Sequence, residues 1–327
     1  MFSKCCVPFI SALLLIISCS SDNPHNRNTL QKYKWIDFKW RTSEISGKIY
    51  NKAAIEVPFK IDKFSPDFVI QLDLGSSVSI FYENTLKSYY DVYCNLMNKI
   101  DSTNTMPVIY ENNCRVKYFS DLQIVLDTIK FKNPRIGMGY GLGDIISHDS
   151  VYNKKSRLIG LLGADFFNNK ILIIDYKNER ISITDTLYND FIQNIEFQQY
   201  LSSKTSSRVL LPIKLSNTTY SMMFDTGCSI FSLILKTDLW KLNTDFKNQN
   251  TMKVKGVSRF LYFFQSKALT DAFFGDMKLP KSFYYCVPQG DDFFIRENIS
   301  GIIGNAFFLD KIVIVDFKNK RFGVVKD

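Results

Sequence analysis

Residues 160–181 read GLLGADFFNNKILIIDYKNERI and residues 301–322 read GIIGNAFFLDKIVIVDFKNKRF. At this offset of 141 residues, 11 of the 22 aligned positions are identical. A period this long divides a chain into repeated structural units, so it governs every later step. Upstream lies a second matched pair, Phe68-Val-Ile-Gln-Leu-Asp73-Leu-Gly-Ser-Ser77 and Tyr220-Ser-Met-Met-Phe-Asp225-Thr-Gly-Cys-Ser229. Each is preceded by an apolar segment containing a proline, Val57-Pro-Phe-Lys-Ile61 and Leu211-Pro-Ile-Lys-Leu215. One four-part order therefore occurs twice: leading strand, apolar strand ending in Asp-x-Gly, variable middle, then Gly-apolar-apolar-Gly and a β-branched run.

The runs Ile171–Asp175 and Ile312–Asp316 have the length and branching of buried strands, and each precedes a polar Lys-Asn turn. Asp175 and Asp316 read as turn or ion-pair residues of those repeats. Phe273-Phe-Gly-Asp-Met-Lys-Leu279 reads as a hairpin, as does the neighbourhood of Lys253-Val-Lys-Gly256. Sustained helical periodicity is scarce, and Leu187–Tyr200 is the stretch expected to form a short helix. The expected fold is all-β, in two homologous lobes with a cleft between them. Residues 34–185 form the first lobe, 186–207 the linker and 208–327 the second lobe.

Composition narrows the chemistry. The 327 residues are 46% hydrophobic and 22% charged, which excludes a disordered chain. With only two histidines, His25 and His148, most Ser-His, Cys-His and His-rich metal sites are excluded. The net charge of +9 is scattered rather than blocked, so no nucleic-acid partner is expected. Gly137–Gly143 lacks the order of a phosphate loop and reads as a loop of another kind.

An aspartate closing an apolar strand ahead of x-Gly-Ser/Cys-Ser has a definite use. The glycine permits a tight backbone at which neighbouring amides approach the carboxylate. If the two lobes face each other, Asp73 and Asp225 meet across the cleft. Two carboxylates in contact do not both ionise, so the pair keeps one proton and titrates as a unit. Such a pair can hold a water, take its proton as it attacks an amide carbon, and protonate the carbonyl oxygen.

At these residues the chain resembles the aspartic protease superfamily, in the single-chain, two-lobed pepsin-like form. Gly163-Ala-Asp-Phe-Phe and Gly304-Asn-Ala-Phe-Phe are also similar to a segment of bacterial retropepsin-like members. The resemblance implies an aspartic endopeptidase with Asp73 and Asp225 as the catalytic pair and Gly75, Ser76, Thr226, Gly227 and Cys228 in support. It implies a peptide or protein substrate, no cofactor or metal, and no need of a dimer. It also implies a hairpin flap bearing a tyrosine, for which Tyr110 and Tyr118 are the candidates. Two positions depart from the family's pattern. Leu74 replaces a hydroxyl residue that bonds across the lobe interface, and Cys228 replaces a stronger donor to the acid. These departures leave open a second reading, a degenerate copy that binds peptides or serves a structural envelope role. The aromatic cluster Phe260–Phe264 is a candidate lining of an apolar cleft.

The amino terminus reads as an address. Lys4, the apolar run Val7–Ile17 and Ser18-Cys19 describe a secretory signal, and Ile16-Ile-Ser-Cys19 resembles a bacterial lipobox. Residues 1–18 are then a lipoprotein signal peptide, Cys19 the lipidated residue, and 19–33 a tether. The expectation is an exported protein anchored to a bacterial membrane by lipid, periplasm-facing or at the cell surface. Four cysteines remain, Cys94, Cys114, Cys228 and Cys286, and their pairing is open.

Overall fold

The protein was analysed as a computed structural model that describes residues 30–61, 67–90, 100–107, 115–152, 155–202, 207–256, 260–280 and 283–326. Residues 1–29, on which the expected signal peptide, the lipidated Cys19 and most of the expected tether fall, lie outside the described residues, as do Cys94, Tyr110 and Cys114.

The two β-branched runs lie side by side. Ile171–Asp175 pairs antiparallel with Ile312–Asp316, with Ile173 opposite Ile314. Those two residues are equivalents in the repeat, so a pseudo-two-fold axis passes between them. On either side the sheet adds Arg180–Thr184 and Ile36–Asp37, then Arg321–Val325 and Ile195–Gln199, giving six strands drawn from both halves. Its buried apolar residues, Leu172, Ile173, Ile174, Val313, Ile314 and Val315 among them, contribute about 1.5–3 kcal/mol each.

The turns that close this sheet are duplicated atom for atom. Asp175 accepts from Asn178 N and Nδ2 and from Arg180 Nε; Asp316 accepts from Asn319 N and Nδ2 and from Arg321 Nε. Each arginine also lies over an aromatic ring at 4.2 Å, Arg180 on Trp35 and Arg321 on Phe197. Both aspartates have no exposed surface. A buried carboxylate is tolerated because three donors satisfy it.

Each half then builds one ten-stranded sheet, and the two have the same strand order. In the first, Phe68–Leu72 lies between Lys48–Ile61, antiparallel, and Arg157–Leu162, parallel. In the second, Thr218–Phe224 lies between Val209–Leu215 and Gly301–Ile303 in the same senses. Each strand ends in a fully buried apolar residue, Leu72 in the first and Phe224 in the second. The chain is therefore all-β and two-lobed, with Asp73 and Asp225 each at the carboxyl end of a central strand. No described helix is long and apolar enough to cross a membrane.

One feature breaks the symmetry. Lys39–Ile45 and the start of Lys48–Ile61 form a long hairpin whose two-residue tip, Ser46-Gly47, has positive φ at both positions (51° and 77°). The tip reaches the other half. Ile45 is buried among Met223, Met252, Phe263 and Tyr285, and Lys253 N donates to Ser46 Oγ at 2.9 Å.

Several expectations are corrected. Leu187–Tyr200 holds only a single helical turn, Asn189–Ile192, and then the strand Ile195–Gln199. The turn has no side-chain cap, whereas Ile195 and Phe197 alternate as a strand does and find a partner in Arg321–Val325. Linker residues 186–207 thus contribute structure to the shared sheet. The end of the stretch expected to be a tether is packed as well: Tyr33 is buried against Trp35, Tyr188 and Phe191. Gly137–Gly139 is a strand beside Ile80–Tyr82, and the loop begins only at Tyr140. Cys228 and Cys286 are free thiols, so no disulfide joins them.

Candidate active site

The two Asp-x-Gly turns are hung from equivalent backbone. Asp73 N donates to Leu162 O and Asp225 N to Ile303 O, both at 3.0 Å, so each Gly-apolar-apolar-Gly segment fixes the neighbouring acid. The turns tighten by Ser76 N bonding Asp73 O at 3.1 Å and Cys228 N bonding Asp225 O at 3.2 Å. Backbone amides then reach the carboxylates, Ser76 N to Asp73 Oδ1 at 3.2 Å and Gly227 N to Asp225 Oδ1 at 2.7 Å.

The loops meet face to face. The carboxyls of Asp73 and Asp225 come close enough for each to feel the other's charge, although 152 residues separate them. Each carboxyl also rests on the glycine of the opposite turn. A β-carbon on Gly75 would stand 2.3–2.5 Å from the Asp225 carboxyl, and one on Gly227 would stand 2.8–2.9 Å from that of Asp73. Neither glycine has positive φ. The reason for glycine is thus the close approach of the other lobe's acid, not the turn conformation expected from sequence.

Burial is the main electrostatic effect here. It pushes the Asp73 carboxyl up to about 8, with the charge of Asp225 next in size, while Ser76 N and the more distant Arg208 guanidinium pull the other way. Asp225 is itself buried, at 8% exposure.

Thr226 makes the cross-lobe lock. Its hydroxyl donates to Leu72 O and accepts from Leu74 N, both at 2.9 Å. Leu74 has no hydroxyl to return the bond, and its side chain is fully buried in the main core instead. Cys228 Sγ lies 3.1 Å from Asp225 Oδ2. Burial, then the Asp225 charge, raises that thiol well above its usual range, so it stays protonated and donates, though weakly. Ser76 supports Asp73 through its backbone amide, while its Oγ donates to Val78 O at 2.7 Å.

Tyr118 does not stand as a flap. It lies at the foot of the hairpin formed by Ile100–Pro107 and Arg115–Phe119, 1% exposed, packed with Val78, Ile80, Val116 and Leu161. The Arg135 guanidinium covers its ring at 4.6 Å. A ring so enclosed has no path to the cleft. Of the second-half cluster, Phe263 is buried and stacks on Phe231 at 4.4 Å, just behind the Asp225 loop, while Phe260 and Tyr262 are exposed.

Three supports were missed in the sequence. Gln71 Nε2 donates to Asp73 Oδ2 at 3.2 Å. Arg208 Nε donates to Gly75 O at 2.8 Å and its Nη1 bonds Glu297, tying the Asp73 turn to the second half. Asn305 Nδ2 donates to Thr226 O and Ser229 Oγ beneath Asp225, and Tyr176 OH donates to Asn305 Oδ1 from the other half. Two of these had a signal: Gln71 and Asn305 are polar where their repeat partners, Met223 and Ala164, are apolar. Arg208 had none.

Among the described residues no group of three or more His, Cys, Asp or Glu is placed to hold a metal ion. No protein-family model matches the chain, and no curated protein matches it. Among solved structures, the aspartic proteinase from Irpex lacteus is similar, at 12% identity and a TM-score of 0.47, over 90% of this chain and 97% of that one.

Proposed function

We propose that this chain hydrolyses peptide bonds as an aspartic-type endopeptidase, with Asp73 and Asp225 sharing one proton and one water. The observation that carries the reading is the meeting of the two acids across the pseudo-two-fold axis, each seated on the other's glycine. The ionised member takes a proton from the water as its oxygen bonds the amide carbon. The other member gives its proton to the carbonyl oxygen. Collapse of the tetrahedral species breaks the C–N bond, and the amine leaves with a proton from the pair. The substrate is a peptide or protein chain. In this reading the protein works outside the cytoplasm, held to the membrane by lipid on Cys19.

The raised Asp73 carboxyl sets the pH range. One proton must stay on the pair, and it stays until pH rises through about 8. Cleavage is therefore expected to persist to neutral pH and fall above it, rather than to fail once a single ordinary carboxyl would ionise.

The test is digestion of a mixed peptide library by the full chain across acid to alkaline pH. Wild-type protein should cleave. Asp225→Asn and Asp73→Asn should lose activity by about 10³-fold or more, and a peptide bearing a hydroxyl in place of the scissile carbonyl should block it. Cleavage that survives in both variants overturns the assignment. Retention of peptides without cleavage by wild type would return the degenerate binding copy, which the unreturned lock at Leu74 favours.

A further inference from the structure

Three of the four carboxyl oxygens of the pair take donors from their own turns: Ser76 N on Asp73 Oδ1, Gly227 N on Asp225 Oδ1 and Cys228 Sγ on Asp225 Oδ2. The fourth, Asp73 Oδ2, takes Gln71 Nε2. Gln71 lies two residues earlier on the same strand, so its side chain leaves the sheet on the same face as Asp73. The equivalent residue in the second half, Met223, offers no N–H.

A glutamine amide can present either its oxygen or its nitrogen, and here the choice is forced. Arg41 Nη2 donates to Gln71 Oε1 at 2.8 Å. A guanidinium has donors only, so Oε1 must face it and Nε2 must face Asp73. Arg41 is held in turn by Glu56, 3.5 Å from its Nη1. Burial raises Glu56 while Arg41 pulls it down. A polar chain thus runs from Glu56 through Arg41 and Gln71 to one oxygen of the pair. It begins on the hairpin that also plugs Ile45 into the other half.

We infer that Gln71, pinned by Arg41, is a positioning residue for Asp73: it supplies the donor that the turned-away Ser76 hydroxyl does not, and fixes the carboxyl's orientation toward Asp225. The inference takes the pair's catalytic role from the reading above, but the contacts stand without it. The groups facing Asp73 are Asp225, Ser76 N, the Cys228 thiol, Arg208 and Gln71. Asp225 disfavours charge on Asp73, whereas Ser76 N, Arg208 and the Gln71 amide favour it.

The experiment compares wild type, Gln71→Met, Gln71→Glu and Arg41→Met in two readouts. The first is the dependence of melting temperature on pH, which needs no activity. Gln71→Met, the residue of the twin position, should move the pair's upper titration to higher pH by about one unit, because a donor to the charged form is gone. Gln71→Glu should move it further, and Arg41→Met by less, since the amide remains but is free to turn. In an Asp73→Asn background Gln71→Met, which neither adds nor removes a charge, should leave the pH profile unmoved. The second readout is the alkaline limb of peptide cleavage, which should shift in parallel. Superimposable melting profiles for wild type and Gln71→Met overturn the inference even if cleavage is present. Shifted profiles with no cleavage at any pH keep it and overturn the peptidase reading instead.

Discussion

At the scale of single residues, the site is built on reciprocal close contact. Gly75 and Gly227 are where each acid presses on the other turn, and the pressure is greater at Gly75. Gly75→Ala should destabilise the protein by about 1–3 kcal/mol, because the added methyl stands at bonding distance from a carboxyl that Gly227 N and Cys228 already fix. The cause can be isolated by a double-mutant cycle in denaturant melts. In an Asp225→Ala background the same Gly75→Ala change should cost well under half as much, since the obstacle is gone. Equal costs in both backgrounds would mean that the strain lies in the turn itself. That would restore the conformational role for glycine expected from sequence and refuted by the negative φ.

At the scale of elements, the hairpin Lys39–Ile45/Lys48–Ile61 departs most from the duplicated plan. Its counterpart, Leu201–Ser202 against Val209–Leu215, is far shorter. The extension puts Ile45 into a cluster of the second half that also touches Cys228 and Phe231, so it ties the two halves beside the acids. Ile45→Ala should cost about 2–4 kcal/mol if the second half's cluster cannot collapse around the loss. It should also slow cleavage by loosening the register between the turns. Thermal melting and peptide turnover of the purified variant check both. A variant as stable as wild type would show that the tip only rests on the surface. Nothing local in Ile45 tells which distant strand will bury it.

At the scale of the whole molecule, the duplication made much of the architecture legible. Two sheets of one order and a shared sheet centred on Ile173 and Ile314 follow from a repeat at a fixed offset. The paired Asp-x-Gly turns follow from the same repeat. What stayed illegible is what breaks the symmetry, because the repeat predicts only equivalents: Gln71 against Met223, Asn305 against Ala164, Arg208 with no twin role. Tyr118, a flap candidate from sequence, is enclosed for a related reason, since burial of a ring depends on neighbours such as Ile80 and Leu161 far along the chain. The cost of bringing the two acids together falls on the entire fold, and its pH dependence reveals it. The Asp73 carboxyl is raised from an ordinary 3.8 to about 8, chiefly by burial. Between those limits the folded protein holds a proton that the unfolded chain releases. Stability must then fall as pH rises through this window, by up to about 1.4 kcal/mol per pH unit, and the loss is complete only above the folded value. Asp73→Asn carries no charge at any pH and escapes this penalty. Near pH 4 the variant should melt close to wild type, and by neutral pH it should melt higher, by several degrees for a chain of this size. Melting curves of the two proteins, taken as a difference across pH, cancel every group they share. A difference that grows with pH identifies the pair as a destabilising element kept in the fold. A flat difference would mean that Asp73 is as free to ionise in the folded protein as in the unfolded chain, and the shared proton would go with it.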